Sequence, residues 1–177
     1  MKSIFAPAQR RKFVVGLALL ATPLLAVTAA ADVIRYPLPN NSTFPIASAV
    51  EVTAGSDLVF QSGTTPAAAN PEAKRGTLEY YGDTKTQTIS VFERMKVNLQ
   101  RQGLDFGDVI KMTVFLVGDP AKDNNMDFGG FMEGYTQYFG TAAQPNLPAR
   151  SAVQVAGLVA PGMWVEIEVI AVRPKAK

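Results

Sequence analysis

The apolar positions change period several times along the chain, and each change marks an element. The clearest signal lies at 84–102. Ile89, Phe92, Met95 and Leu99 recur there at helical spacing, behind Asp83, whose carboxylate can accept from the free N–H groups of a first turn. Gly103 follows, where a left-handed residue commonly ends a helix. A second helix is predicted over 126–139 from the spacing of Phe128, Phe131, Tyr135 and Tyr138, although Gly129, Gly130 and Gly134 weaken it. Segments 49–53, 58–61, 108–118, 151–158 and 163–173 read as strands. The first two flank a turn at 54–57, and the last two read as a hairpin joined by 159–162. Residues 67–82 form a long connection, and 32–45 read as a loop or loose arm rich in Pro, Asn and Ser. The order is ββαβαββ, which predicts an α+β fold: one mixed sheet with two helices on one face.

The first 31 residues have a different pattern. Lys2, Arg10, Arg11 and Lys12 precede an apolar run at 13–27, and small residues fill 28–31. This is the order of a cleavable secretory signal. The alternative, a retained membrane anchor, is disfavoured by Pro23 and by a run shorter than the ~20 residues needed to span hydrocarbon. The pair Arg10-Arg11 also resembles a twin-arginine signal. The expected organisation is a signal at 1–31, a loose arm at 32–44 and one domain at 45–177, in a periplasmic protein exported by the general or the twin-arginine route. Without residues 1–31 the formal charge of +2 becomes about −2, with 13 basic against 15 acidic residues. No basic stripe remains to track a phosphate backbone, so nucleic-acid binding loses its electrostatic support. No membrane association is expected after signal cleavage.

Composition narrows the chemistry. The 177 residues include no Cys and no His. That excludes disulfides, Ser-His and Cys-His nucleophile pairs, and metal sites built from those ligands. No metal and no organic cofactor are expected. Catalysis must use carboxylates, Arg, Lys, Tyr, hydroxyls, backbone groups or water.

The last strand carries the most information. Val165, Ile167, Val169 and Ala171 share one face, suited to packing helices, and Trp164, Glu166, Glu168 and Ile170 share the other. That second face is either an oligomer interface with a polar pocket or a solvated surface with two stray apolar residues. Arg150 stands at the mouth of the preceding strand, where its planar fork suits a carboxylate, although a surface arginine is the commoner outcome. In a 159–162 hairpin, Arg150 lies opposite about Ala171 and Glu166 opposite about Val155. Acting on one small ligand, the two would then come from neighbouring subunits.

Residues 148–158 (PARSAVQVAGL) followed by 165–171 (VEIEVIA) resemble the C-terminal signature of the RidA/YjgF family. Ser62-Gly63 with Pro66, Thr86-Gln87, and 103–115 (GLDFGDVIKMTVF) resemble its earlier blocks. The resemblance implies a chorismate mutase-like ββαβαββ fold and a homotrimer with sites between subunits. It implies hydrolysis of reactive enamines and imines, such as 2-aminoacrylate, to 2-keto acids and ammonia. Arg150 would then bind the substrate carboxylate, Glu166 would be the pocket glutamate that orients or deprotonates water, and Ser62 would line the cleft. A backbone carbonyl could replace Glu166 in that role. Three positions depart from the family pattern: Ile46 where a Tyr is usual, Ala152 where Cys is frequent, and Met132 where Asn is frequent. The loss of the phenol at 46 and of the carboxamide at 132 makes the substrate-binding pocket more apolar. The competing readings are a non-catalytic periplasmic binder of small carboxylates using the same cleft and, more distantly, a holdase.

Overall fold

The longest β-branched and apolar run, Val109–Asp119, forms the central strand of the computed structural model, which describes residues 33–174. The expected export signal lies outside the described residues. In chain order the strands are β1 (Val33–Tyr36), β2 (Ala49–Val52), β3 (Leu58–Thr64), β4 (Val109–Asp119), β5 (Asn125–Met126), β6 (Ala149–Val155) and β7 (Val165–Val172). The helices are α1 (Leu78–Tyr81), α2 (Thr84–Arg101) and α3 (Phe128–Tyr135). The main sheet runs β3-β7-β4, with β6 and the short β5 on the far side of β4. β6 is parallel to β4, and β7 is antiparallel to both β4 and β3, so the sheet is mixed as predicted.

The expected 159–162 hairpin does not form. β4 lies between β6 and β7 and hydrogen-bonds to both. The parallel β4–β6 pairing needs a crossover, and the connection through α3 supplies it. The chain between β6 and β7 is long enough to step across the end of β4, where Val117 N donates to Trp164 O at 2.9 Å. Arg150 is therefore level with Met112 and Glu166 with Phe115. The expected partners of Arg150 and Glu166 across a β6–β7 pair, Ala171 and Val155, are superseded.

The N-terminal segment also differs from expectation. Residues 33–36 form a strand paired antiparallel to β2 in a separate two-stranded sheet, so β2 and β3 flank their turn without being partners. The clasp is Arg35. Its guanidinium donates to Leu147 O at 2.7 Å, and to Val109 O and Gly107 O at 3.0 Å each. Those carbonyls stand at the entries to β4 and β6, so one side chain holds β1 against the main sheet.

Both long helices cover one face of that sheet. Asp83 caps α2 by accepting from Thr86 N at 2.8 Å. The buried stripe is Thr88, Val91, Phe92, Met95 and Leu99, and Ile89 lies at its half-buried edge. α3 is shorter than predicted. Asp127 accepts from Gly130 N and starts it two residues late, and the helix ends at Tyr135 rather than 139. Phe92 meets Phe106, Tyr135, Tyr138 and Phe139 in an aromatic core over Met112, Val114 and Leu116 of β4. Val165, Ile167, Val169 and Ala171 of β7 are buried against it, as the alternation predicted. Buried Gln87 ties the helix layer to the chain entering β7. It donates to Gly82 O and Gly162 O, and accepts from Trp164 N at 2.7 Å.

Candidate functional site

Arg150 enters the site from β6, on the same face as Met112 and the helices. Its guanidinium lies 4.2 Å from the ring centre of Tyr135, 5.0 Å from Phe131, 5.5 Å from Phe44 and 5.8 Å from Phe128. Each ring offers its negative face to the cation. Nη2 points at Met132 Sδ, 3.3 Å away, a weak acceptor. Nη1 is buried and has no hydrogen-bond partner. Neither ion pair among the described residues involves Arg150. Burial lowers the Arg150 pKa from its ordinary value, with Tyr135 opposing the shift. Burial also pushes the Tyr135 phenol up to about 12, so it stays protonated and donates to Pro45 O at 2.9 Å.

That hydrogen bond and a second link bring a distant segment to the site. Ala47 bridges Ala149 in parallel, one residue before Arg150. Phe44 and Ile46 are thereby carried to the guanidinium. They border an open pocket of about 300 Å³ lined by Phe44, Ile46, Met126, Phe128, Arg150 and Ala152. The structure thus gathers four of the predicted residues, Arg150, Ile46, Ala152 and Met132, into one place.

Glu166 and Ser62 lie elsewhere. Glu166 is level with Phe115, three residues along β4 from Met112, so alternation puts it on the opposite sheet face from Arg150. Three residues also separate them by about 10 Å along the strand direction. Glu166 stands against Gly63, where a β-carbon would collide with the carboxylate. Ser62 lies beside Gly63 at the irregularity of β3 and lines a shallow pocket with Phe60, Lys111, Thr113, Glu168 and Ile170. Within one chain, the carboxylate and the guanidinium do not share a pocket.

The aromatic ring around Arg150 is the part the predicted site residues omitted. Phe128, Phe131 and Tyr135 showed in the sequence as a helical stripe, which reads as core, and Phe44 fell in a presumed arm. The pattern has a dual use: the stripe packs on Phe92 and also floors the cation.

A guanidinium in this setting has the chemistry to receive an anion. It is largely withdrawn from water, lacks an ionic partner and keeps a donor free. A bidentate carboxylate satisfies all three conditions.

Comparison with known proteins bears on this site. Residues 40–173 match the Endoribonuclease L-PSP family (Ribonuc_L-PSP). A RutC family protein of Pyrococcus horikoshii is 36% identical over 132 residues, 75% of this chain and 92% of its own. TdcF of Escherichia coli, whose name describes a reactive intermediate deaminase, is 39% identical over 116 residues, 66% of this chain and 79% of its own. The crystal structure of E. coli TdcF with bound serine superposes with a TM-score of 0.52 at 34% identity, covering 75% of this chain and 91% of that one.

Proposed function

The chain belongs to the Endoribonuclease L-PSP family, that of the RutC and YjgF proteins, and from that premise we propose that it hydrolyses reactive 2-imino acids and their enamine tautomers to 2-keto acids and ammonia. The observation that carries this reading is the buried Arg150 guanidinium with a free Nη1 and no carboxylate partner. It would hold the substrate carboxylate in a water-poor aromatic setting. The protonated imine carbon is already electrophilic. Water adds to that carbon and passes one proton to the carbinolamine nitrogen. As the C–N bond breaks, the hydroxyl gives up its remaining proton, so the products are the keto acid and ammonia, which takes that proton as ammonium. Holding carboxylate and water in register can contribute up to about 7–11 kcal/mol.

In this reading Glu166 orients the water or accepts its proton, and it reaches the Arg150 pocket from a neighbouring subunit of a homotrimer. Two features support that assembly. Arg150 and Glu166 lie on opposite sheet faces of one chain. The face bearing Glu166 also carries Phe60, which is 71% exposed, and the half-buried Ile170 paired with it. A second reading, a carboxylate-binding protein without turnover, is favoured by the Arg150 pocket itself. Its lining offers no acid or base besides the arginine. The family description names a ribonuclease, but Arg150 sits singly in an apolar ring, and an RNA backbone calls for a track of cations. Residues 1–31 are proposed as the signal that delivers the domain to the periplasm.

The test is direct. Imino acids are generated in situ by an amino-acid oxidase, and keto-acid release is followed with wild type and Arg150→Ala. Acceleration by wild type that the variant loses supports the hydrolase. Carboxylate binding without acceleration selects the binding protein. Sedimentation of wild type and Phe60→Asp tests the trimer, which the variant is expected to weaken.

A further inference from the structure

Arg150 and Met132 meet inside one chain. β6 supplies the guanidinium and α3 the thioether, so their contact does not depend on what stands across the site. Nη2 lies 3.3 Å from Sδ, and Nη1 has no hydrogen-bond partner. The Met132 backbone is fixed, since Thr136 N and Oγ1 both donate to its carbonyl at 3.0 Å. The rings of Phe131 and Tyr135, from the same helix, flank the guanidinium at 5.0 and 4.2 Å. Met95 and Met112 are sealed in the core, whereas Met126, Met132 and Met163 are half-buried. A thioether is a weak acceptor and leaves the arginine's donors to an incoming anion. A two-electron oxidant turns the same sulfur into a polar sulfoxide, whose oxygen is a strong acceptor.

We propose that Met132 is an oxidation site, and that its sulfoxide switches off carboxylate capture by Arg150. This rests on reading Arg150 as the carboxylate anchor. Hydrogen peroxide is the oxidant. A sulfur lone pair attacks one peroxide oxygen, the O–O bond breaks and an S–O bond forms. The sulfur is oxidised by two electrons, and the peroxide is reduced to water. The new oxygen is carried on an atom already 3.3 Å from Nη2, so it accepts from that nitrogen. A carboxylate bound through two parallel N–H donors then finds one of them taken. It also meets the negative end of the sulfoxide dipole. A thiol-dependent reductase reverses the step, returning the thioether and releasing water as two thiols become a disulfide.

The experiment uses the full chain. It is treated with hydrogen peroxide, the excess is destroyed with catalase, and mass spectrometry locates the oxidised methionines. The Kd for 4-methyl-2-oxopentanoate is then measured by calorimetry before and after treatment. Wild type is expected to lose about tenfold or more in affinity, the share of one charge-assisted hydrogen bond. It should regain that affinity with dithiothreitol and the two epimer-specific methionine sulfoxide reductases. Met132→Leu, which keeps Met126 and Met163, is expected to show the same Kd before and after peroxide. Met132→Gln offers Arg150 a carboxamide oxygen in place of the sulfoxide. It is expected to bind weakly from the outset with no further fall, and it serves as the control where Met132→Leu fails to fold. Unchanged affinity in wild type carrying Met132 sulfoxide overturns the proposal. So does a Met132 that peroxide leaves unoxidised in the folded chain. An equal loss in Met132→Leu overturns it too, and assigns the effect to Met126 or Met163. Wild type that binds no keto acid before treatment is a separate result: it removes the anchor reading of Arg150, and the switch falls with it.

Discussion

Replacing Arg150 by Met is expected to move fold stability and ligand capture in opposite directions. Methionine keeps an unbranched apolar stem against Tyr135 and Phe131 and removes the cation. The free protein loses a buried donor without a partner, a group whose burial costs about 1–3 kcal/mol. It also loses the cation's contact with four rings, worth about 0.5–2 kcal/mol. The difference leaves Arg150→Met as stable as wild type, or more stable by about 1 kcal/mol. In a domain of this size that is a rise in Tm of about 2–4 °C. The ligand effect runs the other way. A 2-keto acid present at about 100 times its Kd stabilises wild type by about 2.7 kcal/mol, or about 5–10 °C. The variant is expected to show no such shift. The assay is thermal unfolding with and without 4-methyl-2-oxopentanoate, at fixed protomer concentration. Destabilisation of the ligand-free variant by more than about 2 kcal/mol, with the ligand shift retained, would refute the reasoning. Arg150 would then be a structural cation and no receptor.

Three further outcomes are expected. Glu166→Gln should lower imine hydrolysis by about 10²–10⁴-fold while leaving the keto-acid Tm shift in place, as measured by parallel kinetics and thermal unfolding. Asp83→Ala should cost about 0.5–2 kcal/mol at neutral pH by urea unfolding, because α2 loses its cap. Accepting from Thr86 N holds the Asp83 carboxyl below its ordinary value, so this contribution is present above the usual carboxylate range and lost as pH falls through the depressed folded value. The gap between wild type and Asp83→Ala should therefore close in acid. Gln87→Leu strands Trp164 N and the carbonyls of Gly82 and Gly162, and should destabilise by about 3 kcal/mol. Trp164 is the sole tryptophan, so its emission should redden in the same variant.

The sequence made the elements far more legible than their partners. Asp83 and the Phe92–Met95–Leu99 spacing announced α2 because capping and periodicity are local. Alternation in β7 placed Val165 and Ile167 inward correctly for the same reason. Pairing is not local. The 159–162 turn looked like a hairpin, yet β4, with its long run of apolar and β-branched residues, occupies the middle of the sheet and takes both β6 and β7 as neighbours. That exchange left Arg150 on the helix face and Glu166 on the other, as alternation predicted, and changed the residues level with them to Met112 and Phe115. Arg35 shows a related gap. Nothing in 32–45 hints at a clasp, because its three acceptors are backbone carbonyls at residues 107, 109 and 147, and main-chain acceptors leave no trace in composition. At the site, the family motif supplied Arg150, Ile46, Ala152 and Met132. The rings that surround the cation were visible only as hydrophobic filler, since a helical aromatic stripe has the same spacing whether it meets an alkyl chain or a guanidinium.

Arg35 has a consequence for how the chain can be trimmed. Trypsin must draw a basic side chain fully into its own cleft before it cuts. The guanidinium at position 35 is already engaged by three carbonyls, and its backbone is paired with β2. Processing from the leading end should therefore stall ahead of this residue, giving a durable fragment whose new amino terminus keeps β1 intact. The same clasp sets how short a recombinant version can be made: starting beyond residue 35 would unlatch the entries to β4 and β6 together.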